Sequence, residues 1–338
     1  MTRRLDSSLL EQHDALLFDL DGTLMHGGTP IPHAPEAIAA TREAGDHVVF
    51  ATNNASRTPQ QAADHLAGIG IPAEPGEFIT SPQVAVTLLT QRIPAGSTVL
   101  VVGGPALAAE VEAAGLHPVT RDDDTVAAVI QGWAPELDWA RLAEGSYAIR
   151  RGATWMATNV DATLPTERGM APGNGSMVAA LRHATGVEPA VAGKPEPGMF
   201  TVAAQRIGAR RPLVVGDRLD TDIEGANRAE MPSLLTLTGV DGVAEALRAD
   251  PVRRPTWILP DLSGLTAPFA LPVTEGERVR CGPVSATWDD GDVRLHGEVE
   301  DPRSQRAVLA LLAARSPEAA WTGTLRDTEG AELPLPTR

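Results

Sequence analysis

Several things are scarce in this chain of 338 residues. It has one cysteine, Cys281, so no disulfide can form within the chain. That usage fits a reducing compartment and leaves no cysteine cluster for a metal. Basic residues are outnumbered, 28 Lys and Arg against 44 Asp and Glu, giving a net charge of −16. Such a balance argues against nucleic acid or an anionic membrane as a main partner. No apolar run approaches a membrane span. Arg3 and Arg4 open the chain, but Asp6, Ser7, Ser8 and Glu11 interrupt any signal-peptide core. The expectation is a soluble cytoplasmic protein. Lysine is almost missing: Lys194 stands alone against twenty-seven arginines, inside Gly193-Lys194-Pro195. A compact point charge is wanted there, where a planar guanidinium would not serve.

What is present is more specific. The apolar run Ala15-Leu16-Leu17-Phe18 is short enough for a buried strand and ends in Asp19-Leu20-Asp21-Gly22-Thr23. Two carboxylates at one strand end repel unless a cation or a shared proton compensates. From there to about residue 80, short apolar runs alternate with amphipathic stretches, the pattern of a parallel α/β sheet. Strands are expected at 15–19 and 47–52, helices at 34–44 and 59–69. A second alternating block starts near Ser81, with helices near 82–92, 105–114, 136–150 and 172–184 and strands at 98–102, 125–131 and 154–158. The first pattern then resumes, with helices at 196–207, 222–229 and 241–248 and strands at 212–216, 233–237 and 256–259. Beyond Thr274 two strand-like stretches, 278–288 and 291–299, and one helix, 302–314, form a small appendage.

Four polar elements follow apolar runs: Asp19/Asp21, Thr52-Asn53-Asn54, Lys194, and Gly216-Asp217 with Asp222. In open parallel sheets ligands bind at the carboxyl ends of strands, so one sheet can aim several of these groups at one spot. Thr52-Asn53-Asn54 alone would equally serve as a turn or a helix cap, and Asp217 alone as a turn aspartate. Together they suggest a chemistry. Hard oxygen donors without a His or Cys cluster suit Mg²⁺, with carboxylates from Asp19 and Asp217 and the main-chain carbonyl of Asp21. A carboxylate can attack phosphorus and form an aspartyl-phosphate. An acid two residues on can protonate the leaving oxygen and then activate water. Thr52, the amides after it and Lys194 can hold the equatorial oxygens, and Asp222 can orient Lys194 or metal-bound water.

This order of motifs resembles the haloacid dehalogenase (HAD) superfamily, and within it the class IIA phosphatases of the nitrophenylphosphatase and glycerol-phosphate or phosphoglycolate phosphatase type. The matching stretches are Phe-Asp-Leu-Asp-Gly-Thr (18–23), Thr-Asn-Asn (52–54), Ala-Thr-Asn-Val-Asp (157–161), Gly-Lys-Pro-Glu-Pro (193–197) and Gly-Asp-Arg-Leu-Asp-Thr-Asp-Ile (216–223). They cover about residues 12–265. The resemblance implies Asp19 as nucleophile, Asp21 as acid/base, Asp217 as metal ligand and Lys194 as phosphate clamp. An acid at Asp21 separates phosphatases from the dehalogenases, phosphonate hydrolases and transport ATPases of the superfamily.

The implied fold is α/β: a Rossmann-like parallel-sheet core at 12–80 and 186–265, a large inserted α/β cap of the C2 type at 81–185, and an α/β extension at 275–338. Such a cap closes over the active site and restricts it to small substrates. Within it Asn159 and Asp161 match the loop that faces the site, or they form a polar turn before Pro165. Leu164 stands where relatives acting on pyridoxal phosphate carry histidine, which weakens that substrate. Arg57 and Arg218 are alternative anion contacts. Gly173-Asn174-Gly175 reads as an ordinary helix start before an anion site. His13 and His26 read as structural or solvated. The tail resembles an acetyltransferase-like extension of some actinobacterial phosphatases, but it lacks a glycine-rich loop for coenzyme A.

The expected activity is Mg²⁺-dependent hydrolysis of a small phosphorylated metabolite. Glycerol 3-phosphate comes first, ahead of 2-phosphoglycolate, a nucleoside monophosphate, a sugar phosphate or pyridoxal phosphate. A catalytically silent binding protein on the same fold and a phosphotransferase are the other readings. A homo-oligomer is an open option.

Overall fold

The computed structural model describes residues 7–53, 57–166, 168–268 and 270–336. The chain divides into two compact units. One comprises Met1–Phe50, His65–Ala73 and Ala204–Arg338; the other comprises Ala51–Asp64 and Glu74–Ala203.

In the first unit the four residues of Ala15–Phe18 are all buried, which suits a strand covered on both faces. It pairs in parallel with Pro212–Gly216 on one side and His47–Thr52 on the other. Ser233–Thr236 and Trp257–Leu259 continue the sheet outward from Pro212–Gly216, again in parallel. The chain therefore leaves Ala15–Phe18 toward one edge and returns, much later, on its other flank. That reversal is the topological switch point at which open α/β sheets bind ligands. Asp19 and Asp217 both stand just beyond it.

The second unit has its own parallel sheet, in the order Ala190–Val191, Thr154–Ala157, Val126–Gln131, Thr98–Val102, His117–Val119. An antiparallel hairpin, Thr163–Thr166 with Gly169–Pro172, precedes the helix Asn174–Thr185. That helix has Gly173 as its N-cap and begins two residues after its expected start. A Cβ on Gly173 would meet the carbonyl oxygens of Asp161 and Thr163, and one on Gly175 that of Val160. The glycines thus let two backbone segments touch.

The parallel α/β expectation holds, and most elements lie within two residues of their expected bounds. The tail differs. The stretch 278–288 is two strands, Arg278–Cys281 and Val284–Asp289, folded back on each other with Cys281 opposite Val284. Gly282 turns the chain at φ 62° and Pro283 cannot donate to a ladder, so an unbroken strand is impossible there. Asp292–His296 ends earlier than 299. The short strands Val273–Glu275 and Leu325–Arg326, too brief to show a period, complete a five-stranded sheet.

This tail sheet and the helix Pro302–Arg315 share one apolar cluster with Leu219, Ile223, Leu235, Val243, Leu247 and Ile258 of the first unit. Buried Arg254 donates to the carbonyls of Leu312 and Ser316 at the end of that helix, and to those of Ala249 and Ala319. A guanidinium there answers orphan carbonyls and the negative end of the helix dipole together. Arg248 stacks over Trp321 at 4.6 Å. Among the described residues no helix is long and apolar enough to cross a membrane.

Candidate active site

In the first unit the carboxylates of Asp19, Asp217 and Asp222 converge, with one oxygen from each within 4.8 Å of the others. Asp19 leaves the sheet with its amide still bonded to the Val215 carbonyl at 2.8 Å, so the strand ladder sets its direction. Asp217 and Asp222 are both 1% exposed. The chain between them forms a π-type turn over Leu219–Ile223. In it the Asp222 carboxylate folds back to accept from the Arg218 amide at 3.2 Å. Three buried or half-buried carboxylates so close repel one another, and a cation among them would offset that repulsion. Every donor is a hard carboxylate oxygen, the set that suits a divalent ion such as Mg²⁺.

The space around these acids is kept by glycines. Gly22 has φ 89°, and a Cβ on it would run into the Asp217 carboxylate; a Cβ on Gly239 would do the same, and one on Gly216 would strike Asp222. Asp21 is exposed, and its side chain stands outside the three-acid group. Arg218 turns away to pair with Asp220, Nη2 to Oδ2 at 2.9 Å and Nε to Oδ1 at 3.0 Å. That contact holds the Asp220 carboxyl below its ordinary 3.8 and raises Arg218.

The second unit gathers neutral amides and a lysine. Lys194 is 3% exposed and donates from Nζ to the Ala51 carbonyl at 3.1 Å. Its main chain is gripped by the Asn53 side chain: Lys194 N donates to Asn53 Oδ1 at 2.8 Å, and Asn53 Nδ2 donates to the Lys194 carbonyl at 3.0 Å. A relay of asparagines stands behind this grip. Asn174 Nδ2 donates to the Asn159 carbonyl at 2.7 Å, and Asn159 Nδ2 to the Asn53 carbonyl at 3.1 Å. Asp161 joins by accepting from Asn53 Nδ2 at 3.2 Å. A Cβ on Gly193 would press on Asn53, Thr158 and Asn159, so this approach needs glycine. Thr52 is buried and ends the strand His47–Thr52. Asn54 lies outside the described residues. Arg57 is exposed, while His13 and His26 each bond a main-chain carbonyl, of Arg211 and Thr238.

Sequence reasoning missed Asn174 as the far end of the relay, and it missed the loop Thr238–Asp241. Both are held by long-range bonds that no local period reveals. The one available signal was position, since Thr238–Asp241 follows the carboxyl end of a core strand.

The site is thus a set of acids at strand ends beside a switch point, a hard-oxygen arrangement suited to an enzyme that uses a divalent cation. The haloacid dehalogenase-like hydrolase model matches residues 16–117, and a HAD-hydrolase-like model matches 191–265. The D-glycerol 3-phosphate phosphatase of Mycobacterium tuberculosis is 52% identical over 323 residues, covering 95% of this chain and 89% of that protein. The chain therefore belongs to the haloacid dehalogenase-like hydrolases. Its likeness is to their NagD-like phosphatases. An acid sugar phosphatase of Staphylococcus aureus is 33% identical over 256 residues, 75% of this chain and 97% of that one. Among solved structures, the glycerol phosphate phosphatase of M. tuberculosis in complex with magnesium matches with TM-score 0.83 and 43% identity, covering 96% of this chain and 97% of that one. NagD of Escherichia coli K-12 matches with TM-score 0.67 and 30% identity, over 74% and 97% of the two chains.

Proposed function

We propose that the protein hydrolyses D-glycerol 3-phosphate to glycerol and phosphate, with Mg²⁺, through a phosphorylated Asp19. The observation that carries the chemistry is the convergence of Asp19, Asp217 and Asp222. The 52% identity over nearly the whole chain supports the substrate. Asp19 and Asp217 would hold the ion with the Asp21 main-chain carbonyl, and Asp222 stands within reach. A bound ion would supply positive charge that relieves the repulsion among these acids and favours an anionic phosphoryl group beside them.

Asp19 then attacks phosphorus as the carbon-side oxygen leaves, and Asp21 gives that oxygen its proton. Exposure keeps Asp21 open to water. In the second half Asp21 takes a proton from water, whose oxygen attacks the aspartyl-phosphate, releasing phosphate and restoring Asp19. Lys194 offsets the charge on the equatorial oxygens. The Asn53 side chain is committed to the Lys194 main chain, so its part in phosphate binding falls to the main-chain amide. Thr52 and Asn54 are the further proposed phosphate contacts, and Asn159 and Asp161 are the proposed contacts to the leaving group. The core, cap and extension boundaries at 12–80 with 186–265, 81–185 and 275–338 belong to this reading. So does a packing role for the acetyltransferase-like tail, supported by its shared cluster with the core.

Phosphate release with and without Mg²⁺ tests this across glycerol 3-phosphate, 2-phosphoglycolate, pyridoxal phosphate, nucleoside monophosphates and sugar phosphates. We expect Mg²⁺-dependent release, fastest from D-glycerol 3-phosphate. Preference for a sugar phosphate would keep the chemistry and replace the substrate. No release from any of them would leave a binding protein.

A further inference from the structure

The loop that follows the core strand Ser233–Thr236 touches both acid-bearing loops. Thr238 Oγ1 donates to the Gly22 carbonyl at 2.8 Å, just after Asp21. Val240 N donates to Asp217 Oδ2 at 2.7 Å, and Asp241 N to the Asp217 carbonyl at 3.1 Å. The Asp241 carboxylate accepts from the Leu219 amide at 2.7 Å, two residues beyond Asp217. Gly239 between them admits no side chain because the Asp217 carboxylate fills the space. Four consecutive residues thus act on the Asp19–Gly22 turn from one end and on the Asp217 turn from the other.

A local explanation for these bonds fails. Asp241 precedes the helix Val243–Arg248, where an aspartate commonly caps. Here Gly242 holds the N-cap position, and its own amide is taken by Glu245 at 3.1 Å. The Asp241 carboxylate points across the fold instead. Val240 leaves its side chain 54% exposed, so burial does not explain the loop's path. Its backbone bonds do.

We infer that Thr238 and Asp241 are positioning residues that fix the spacing of the Asp19 and Asp217 carboxylates and so set the affinity for the divalent cation. The inference rests on the proposed reading of Asp217 as a metal ligand. Acids gathered this closely push apart when no cation is bound. A brace anchored on both loops holds them in the bound arrangement, and its removal lowers metal affinity more than substrate affinity. The Val240 amide is the outer hydrogen-bond partner of the Asp217 carboxylate, the kind of contact that tunes other metal sites, and Thr238 and Asp241 hold the loop that carries it.

Isothermal titration of metal-free protein with Mg²⁺ tests this, with four variants. Asp241→Ala should raise the Mg²⁺ Kd about tenfold, the lower end for such partners. Thr238→Val should raise it less. Asp241→Asn keeps an oxygen for the Leu219 amide and should bind within about threefold of the parent, below that same range. At saturating Mg²⁺ the substrate KM should not move. If Asp241→Ala does not fold, Asp241→Ser, too short to reach Leu219, takes its place with the same expectation. Parent-like Mg²⁺ binding in the Ala or Ser variant overturns the inference, as does an equal loss in Asp241→Asn. Asp217→Asn separates the two readings. If it binds Mg²⁺ normally, the metal assignment itself has failed; if it does not while Asp241→Ala does, only the brace has.

Discussion

The sheet built around Ala15–Phe18 and the sheet built around Val126–Gln131 are the same kind of object: parallel, buried, with the proposed site residues after their strands. They differ in what those residues carry. After Ala15–Phe18 and Pro212–Gly216 come Asp19, Asp21, Asp217 and Asp222. After Thr154–Ala157 and Ala190–Val191 come Asn159, Asp161, Gly193 and Lys194. Architecture alone therefore does not decide function; the charge loaded onto it does. Clustered carboxylates are a demand for a cation. The amides on the other sheet are neutral donors spent on main-chain carbonyls, and what they hold in place is one buried ammonium. An ammonium at 3% exposure is costly to bury, and under the proposed reading the group it serves is an anionic phosphate.

The comparison breaks first at Asp19. If the acid-loaded sheet does the covalent chemistry, Asp19→Asn should cut kcat at least about 10³-fold, as expected for loss of a nucleophile. Thermal unfolding should show a folded protein, since a half-buried amide of equal size replaces a carboxylate in a repelling cluster. Activity within tenfold of the parent would remove Asp19 from the nucleophile role.

Lys194 is the next test, on the other sheet. Lys194→Arg keeps the charge but brings a wider, planar head into a site of 3% exposure. It should lower kcat/KM about 10²-fold, the scale of losing one preorganised charge contact. Full activity in that variant would mean that charge alone matters and that the chain's single lysine is incidental.

Much of this contrast was legible in the sequence. The acids were visible because each follows an apolar run, and burial on both faces makes a parallel strand read as a continuous run. Lys194 was visible because the rest of the chain avoids lysine. What stayed hidden is what holds these groups. The grip of Asn53 on Lys194 and the reach of Thr238 to Gly22 join residues far apart in sequence, and neither leaves a period or a spacing. The tail hairpin at Gly282-Pro283 was hidden differently. Its arms, Arg278–Cys281 and Val284–Asp289, both carry strand-forming residues and pass for one strand, and the turn that divides them is only two residues long.

The smallest expected effect sharpens the boundary of the acid set. Asp220 lies between Asp217 and Asp222, yet its carboxylate turns outward to Arg218 with about half of its side chain exposed. Its pKa sits below 3.8, first because of the Arg218 hydrogen bond. The pair's contribution to stability is therefore present above the unfolded carboxylate value and is lost as pH falls through the lower folded value. Solvent screens it, so Asp220→Asn should cost about 0.5 kcal/mol or less in denaturant unfolding at neutral pH. The difference from the parent should shrink further in acid. Mg²⁺ affinity measured by titration should not change, because Asp220 stands outside the converging group. A tenfold weaker Kd in that variant would mean that the acid-loaded sheet recruits its cation by summed charge rather than by three placed oxygens, and the contrast between the two sheets would then be one of field and not of geometry.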